Sequence, residues 1–158
     1  MKVKKIYEDT DKIVKYSDKQ VSDLLDNIDN TNKYLDLNQF KKLLSSNILW
    51  CALVNGNNCL ALCAIKKNKL GTNDYYVNEL GSFQKGAGKR LLNYILSKFD
   101  NIWLMSEPGK SELVNYYRQF GLKEFRLDDN IYKVPVYYFY KGSDKLVDLI
   151  TDYYSGVA

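Results

Sequence analysis

The stretch 81–88, Gly-Ser-Phe-Gln-Lys-Gly-Ala-Gly, constrains this chain more than any other, because three glycines stand between an apolar run and an amphipathic one. Residues 75–80 read as a strand. Residues 87–99 read as a helix, with Leu91, Leu92, Ile95, Leu96 and Phe99 at helical spacing. A strand that ends in glycines and opens a helix makes an anion site. The first N–H groups of the helix lack partners, and its dipole is positive there. Glycine lets the main chain approach a phosphate with no Cβ in the way. Lys85, Lys89 and Arg90 add positive charge to the same turn.

The flanking pattern alternates strands and helices. Residues 2–7 read as an extra strand and 13–16 as a short one. Ser17 or Asp18 caps a helix carrying Val21, Leu24, Leu25 and Ile28. Residues 27–33 are turn-like, and 35–45 form a second helix with Phe40, Leu43 and Leu44 inward. Strands 48–54 and 59–66 flank Asn55-Gly56-Asn57-Asn58, a hairpin signal. After the glycine turn come a strand at 102–106 and a helix that Ser111 can cap, running to Phe120 and stopped by Gly121. Strands 122–127 and 132–141 follow, then a helix at 144–154 with Leu146, Leu149, Ile150 and Tyr153 on one side. The order predicts a mixed α/β fold in one domain spanning 1–158.

Composition narrows the chemistry. The chain has 158 residues and a net charge of +4, with 23 Lys and Arg against 19 Asp and Glu. That balance helps attract an anion but does not point to nucleic acid as a partner. No apolar run is long enough to span a membrane, and the basic residues 1–5 lead into no signal-like stretch. Cys51, Cys59 and Cys63 are an odd number without metal-ligand spacing, which suits reduced thiols in a cytoplasmic protein. Histidine is absent. Ser-His-Asp and Cys-His catalysis are thereby excluded, and no metal is expected.

Three phosphate-binding patterns compete for the turn. The Walker pattern fails because Arg90 follows Gly88-Lys89 and Phe83 stands where its first glycine belongs. The dinucleotide pattern fails because Leu91 stands where its third glycine belongs. Gly86-Ala87-Gly88 matches the end of the coenzyme A pyrophosphate loop of the GNAT superfamily of N-acetyltransferases, whose leading Gln or Arg position falls on Phe83, with Gln84 next. About thirty residues on, Tyr117-Arg118-Gln119-Phe120-Gly121-Leu122 resembles that superfamily's second signature. Trp50-Cys51-Ala52-Leu53-Val54 and Leu60-Ala61-Leu62-Cys63-Ala64 resemble its early hairpin. The resemblance covers residues 13–141, one motif in turn after another.

What the resemblance implies is a central, mostly antiparallel sheet of about six or seven strands, splayed beside the glycine loop and flanked by four or five helices. Acetyl-CoA would be the co-substrate. Leu80, Gly81, Gln84, Lys85, Gly86, Ala87, Gly88, Lys89 and Ser111 would bind it, with pantetheine pairing near residues 78–81. Tyr117 would protonate the leaving sulfur, with Tyr116 as its alternate, and Glu79 would be the base. A main-chain N–H near Leu80 or Gly81 would serve the oxyanion. Tyr132, Tyr137, Tyr138 and Tyr140 lie where an acceptor wall would stand, or simply follow strand propensity. The position seven before Tyr117, often polar in this superfamily, is Lys110. The acceptor would be a small-molecule or protein amine, and a homodimer is left open. Two other functions stay open: a non-catalytic CoA-binding module, and a toxin-like acetyltransferase acting on aminoacyl-tRNA.

Overall fold

A computed structural model of the protein describes residues 11–28 and 35–155. The expected strand at 2–7 and the turn after Ile28 lie largely outside them. Among the described residues, seven strands form a sheet in the order β1-β2-β3-β4-β5-β7-β6, accompanied by five helices. The strands are β1 (Asp11–Tyr16), β2 (Ile48–Asn55), β3 (Asn58–Lys67), β4 (Tyr75–Ser82), β5 (Ile102–Met105), β6 (Lys123–Leu127) and β7 (Val136–Lys141). The helices are α1 (Asp18–Asp26), α2 (Leu37–Leu43), α3 (Ala87–Lys98), α4 (Ser111–Arg118) and α5 (Lys145–Tyr154). The chain groups into two compact units. The first runs to Lys66 and includes Asn78–Ile95; the second takes Lys67–Val77 and resumes at Leu96.

In the first unit, Ser17 caps α1 by a reciprocal pair. Its Oγ accepts the Gln20 N–H at 3.2 Å, and Gln20 Oε1 accepts the Ser17 N–H at 2.9 Å. Two orphan donors of the helix start are satisfied together. Val21 and Leu25 then pack with Phe40, Trp50, Ala52, Leu62 and Ala64 into one core. Trp50 satisfies its indole N–H on Asp18 Oδ1 at 2.8 Å. Helix α2 is shorter than the expected 35–45. Asp36 accepts the Gln39 N–H and so caps the helix, and Leu35 lies ahead of that cap, buried in the core. The hairpin closes on Gly56-Asn57, with Asn55 opposite Asn58 and Cys51 opposite Cys63.

The second unit holds the start of β4, which pairs in parallel with β5 at Tyr75–Ile102 and Tyr76–Trp103. Strand β7 runs antiparallel to β5 and to β6. Its core is aromatic: Tyr76, Trp103, Tyr138, Tyr140 and Tyr154 pack with Leu146 and Ile150. The expected strand at 132–141 begins only at Val136. Ahead of it Asn130 folds a turn, donating from Nδ2 to the carbonyls of Leu127 and Val134 at 2.8 and 2.7 Å, and Pro135 has no N–H for a ladder. The buried face of α5 is Leu146, Ile150 and Tyr154, a stripe spaced by four, so Tyr154 replaces the expected Tyr153, which is 50% exposed.

One buried carboxylate holds the loop before β4. Asp74 is fully buried and accepts the Trp103 indole N–H at 3.0 Å, the Leu70 N–H at 3.2 Å and the Thr72 hydroxyl at 3.3 Å. Replacing it by alanine strands the buried Trp103 indole N–H and the part-buried Leu70 N–H. Asp74→Ala is therefore expected to cost about 3 kcal/mol, read as a lower denaturant midpoint at unchanged slope. A loss under about 0.5 kcal/mol would show that those donors find other partners.

Candidate functional site

The glycine turn belongs wholly to the first unit, where the end of β4 passes through Phe83–Gly86 into α3. Phe83 donates its N–H to the Leu60 carbonyl at 2.9 Å, which ties the turn to β3. Its ring packs against the core under α1 and α2. The side chain at the position of the motif's leading Gln or Arg therefore faces apolar residues. Ala87 donates to the Gln84 carbonyl at 3.0 Å, closing a tight turn. Gly86 sits at its centre with φ +84, a conformation open to glycine at little cost, and a Cβ there would meet nothing within 4 Å. Among the described residues, the N–H groups of Lys85 and Gly86 donate no identified hydrogen bond. Together with the twelve-residue α3 behind them, they leave an open face of main-chain donors suited to a diphosphate.

Gly81 has the opposite role. A Cβ on it would collide with Leu35 Cδ1 and lie 2.8 Å from Phe40 Cε2, so the end of β4 sits flush on α2 only because this residue has no side chain. Gly81→Ala is expected to cost about 1–3 kcal/mol by overpacking, measurable by chemical unfolding. A neutral outcome would mean that Leu35 moves freely.

The charges on the turn divide in two. Lys85 and Lys89 are exposed. Arg90 is held by Asp11 of β1, Nη2 to Oδ2 at 2.7 Å, and Asp11 also accepts Asn55 Nδ2 at 2.8 Å. The hydrogen bonds from Arg90 and Asn55 hold the Asp11 carboxyl below the usual carboxylate range. Arg90 thus serves the β1 edge, and the attraction at the turn comes from the two lysines and the helix.

Glu79 lies half-buried on β4 in the same unit. The nearby Cys63 thiol is pushed well up, first by complete burial and then by the charges of Cys51 and Glu79. Burial raises Cys51 too and pushes Cys59 up to about 11. All three cysteines are free and protonated at neutral pH, which makes them poor nucleophiles. Among the described residues no cluster of His, Cys, Asp and Glu is arranged to hold a metal.

Tyr117 and Ser111 stand on α4, in the second unit. Lys110, not Ser111, occupies the cap position and makes no side-chain cap; Lys110 instead pairs with Glu107 at 2.8 Å. Ser111 is the first helical residue and is exposed. Tyr117 lies six positions further along the helix, about 9 Å along the axis and about 120° around it, so the two do not share a face. Tyr117 is half-buried, its ring 5.7 Å from Phe139 and 5.4 Å from Tyr116. Burial raises the Tyr116 hydroxyl above its ordinary value. Arg118 binds Glu124 through Nε at 3.0 Å and Nη2 at 3.1 Å, and its guanidinium lies 5.4 Å from the Tyr137 ring. Of the tyrosines expected on an acceptor wall, Tyr138 and Tyr140 are core residues; Tyr137 is half-buried and Tyr132 exposed.

Sequence reading missed Ser82. Its Oγ accepts the Gly88 N–H at 3.2 Å and donates to the Gln84 carbonyl at 2.5 Å. The only signal in the sequence is a hydroxyl residue six before the last glycine, too common to single out.

No protein-family model matches the chain, and no curated protein matches it by sequence. Solved structures do match in shape. The ribosomal-protein-S18-alanine N-acetyltransferase of Escherichia coli superposes with a TM-score of 0.55 at 10% identity, covering 84% of this chain and 94% of that one. A GNAT-family acetyltransferase from Bacillus cereus gives 0.54 at 13% identity, covering 84% and 98%. A variant of the spermidine N-acetyltransferase of Vibrio cholerae gives 0.54 at 13% identity, covering 83% and 92%. With the order of elements and the strand–glycine turn–helix unit already described, the chain has the fold of the GNAT acetyltransferases.

Proposed function

We propose that this protein is an N-acetyltransferase that moves the acetyl group of acetyl-CoA to a primary amine by direct attack. The observation that carries the reading is the open glycine turn at the start of α3, in a fold shared with enzymes of that activity. The Lys85 and Gly86 N–H groups, with Lys85 and Lys89, would hold the pyrophosphate. Leu80 and Gly81 would pair with the pantetheine through the main chain, and one of their N–H groups would take the oxyanion. Acetyl-CoA supplies the activated thioester. Glu79 would accept the amine proton through water, and Tyr117 would donate a proton to the departing sulfur. Ser111 and Gln84 would also contact the cofactor. Two of the similar structures, an N-acetyltransferase of ribosomal protein S18 alanine and a spermidine N-acetyltransferase, support an amine as acceptor class. The three free thiols fit a reducing compartment, the cytoplasm.

Phe83, half-buried against the core, favours a second reading: a module that binds CoA without turnover. Thermal unfolding with acetyl-CoA, CoA, ATP and NAD in parallel tests the cofactor. A ligand at a hundred times its Kd adds about 2.7 kcal/mol, a shift of about 5–10 °C for a chain of this size. Both CoA forms are expected to shift the protein, and ATP and NAD are not. No shift with either CoA form would end the proposal. A shift with no turnover across an amine panel would favour the second reading.

A further inference from the structure

We infer that the Arg118–Glu124 ion pair positions Tyr117 for proton donation, an inference that rests on Tyr117 acting as the acid proposed above. Helix α4 has eight residues, no side-chain cap at its start, and Val114 as its one buried residue. A helix that short owes its stability to packing and not to its own hydrogen bonds. Tyr117 stands one residue from its end, in a turn that opens readily unless something outside the helix holds it.

Strands β6 and β7 hold it, through contacts that lie side by side. The Tyr117 ring packs on Phe139 of β7, centroids 5.7 Å apart. The next residue, Arg118, donates to Glu124 of β6 from Nε at 3.0 Å and from Nη2 at 3.1 Å. Glu124 and Phe139 are direct partners in the β6–β7 register, so their side chains share one face of the sheet. The same guanidinium lies 5.4 Å from the ring of Tyr137, two residues from Phe139 and on that face. Ring against ring permits sliding. A planar guanidinium bonded twice to one carboxylate has a single orientation, so the pair fixes how the last turn sits and where the tyrosine hydroxyl points. Both charged side chains are partly exposed, so breaking the pair costs the fold little. The cost falls on aim, since a reacting group displaced by about 1 Å can lose about a hundredfold in rate. Arg118 and Glu124 are thus positioning residues that act through Tyr117.

The test is a double-mutant cycle on the full chain. Thiol release from acetyl-CoA gives the rate, with spermidine or a peptide bearing a free N-terminal alanine as the amine, and calorimetry gives CoA affinity. Glu124→Ala and Arg118→Ala are each expected to lower kcat about tenfold, with CoA affinity and the KM for acetyl-CoA within about twofold of wild type. Placed in Tyr117→Phe, the same substitutions are expected to change kcat by less than about twofold, because the hydroxyl they aim is gone. Turnover by Glu124→Ala within about twofold of wild type overturns the inference. An equal fall in both backgrounds also overturns it, since that marks a loss through the fold and not through Tyr117. Amide exchange needs no acceptor. Glu124→Ala is expected to speed exchange about threefold at Gln119 and Phe120, whose N–H groups close the last turn on the Tyr116 and Tyr117 carbonyls. Unchanged exchange there overturns the inference whatever the amine. If Tyr117→Phe alone turns over as wild type does, the acid reading falls and takes the inference with it, and that arm of the cycle tells the two failures apart.

Discussion

Gly86→Glu is expected to remove CoA binding while leaving the protein folded. Gly86 has φ +84 and open space where a Cβ would go. A side chain there meets no neighbour, so the cost in the free protein is the left-handed backbone alone, about 1–2 kcal/mol. The effect on the ligand is larger. A carboxylate about 4 Å from a phosphate charge opposes it by roughly 4 kcal/mol near a protein surface, and the pyrophosphate carries more than one charge. A loss of at least a hundredfold in affinity follows. Gly86→Ala separates the causes, since it has the same backbone strain without the charge or reach. It is expected to lose far less, and its remaining weakness is to be insensitive to salt, whereas that of Gly86→Glu is to lessen as salt screens the repulsion. If Gly86→Glu binds CoA within threefold of wild type, the anion does not lie on this turn.

Tyr117→Phe is expected to lower turnover about a hundredfold with CoA affinity within twofold of wild type. The ring contacts with Phe139 and Tyr116 survive the change, so the variant keeps its packing in the second unit and loses only the hydroxyl. Proton donation to a leaving thiolate is needed in the transition state and not in the bound complex, so the loss belongs in kcat and not in the binding constant. Thiol release with an accepted amine gives the rate, and calorimetry gives the affinity. Equal rates would take Tyr117 out of the mechanism. Tyr116→Phe is the companion measurement: its hydroxyl is shifted by burial, and a fall there instead would move the acid by one residue.

Much of the fold was legible along the chain because its signals are local. The Asn55-Gly56-Asn57-Asn58 hairpin, the helix cap at Ser17 (expected at Ser17 or Asp18) and the Leu91, Leu92, Ile95, Leu96 stripe each depend on residues within a few positions of one another. The misplaced boundaries have local causes too, but of kinds that periodicity does not register. Asp36 caps α2, so the helix starts two residues inside the expected 35–45, and Asn130 with Pro135 keeps 132–135 out of β7. Tyr153 and Tyr154 are adjacent and chemically alike, so only packing against Trp103 and Tyr138 decides which is buried.

The candidate site divides in the same way. The turn at Gly86-Ala87-Gly88 could be read from sequence, since glycines between a strand and a helix mark a turn and a helix start. That Phe83 turns inward, that Arg90 is engaged by Asp11, and that Ser82 bonds Gly88 could not, because each depends on residues brought together from elsewhere or on which way one side chain faces. The sequence by itself determined the order of elements, the hairpin and the glycine turn, all set by backbone preference and short-range hydrogen bonding. Only the tertiary structure decided which charges remain free at the turn, which tyrosines are core and which hydroxyl lines the loop, because burial and ion pairing are properties of contacts between segments far apart in the chain.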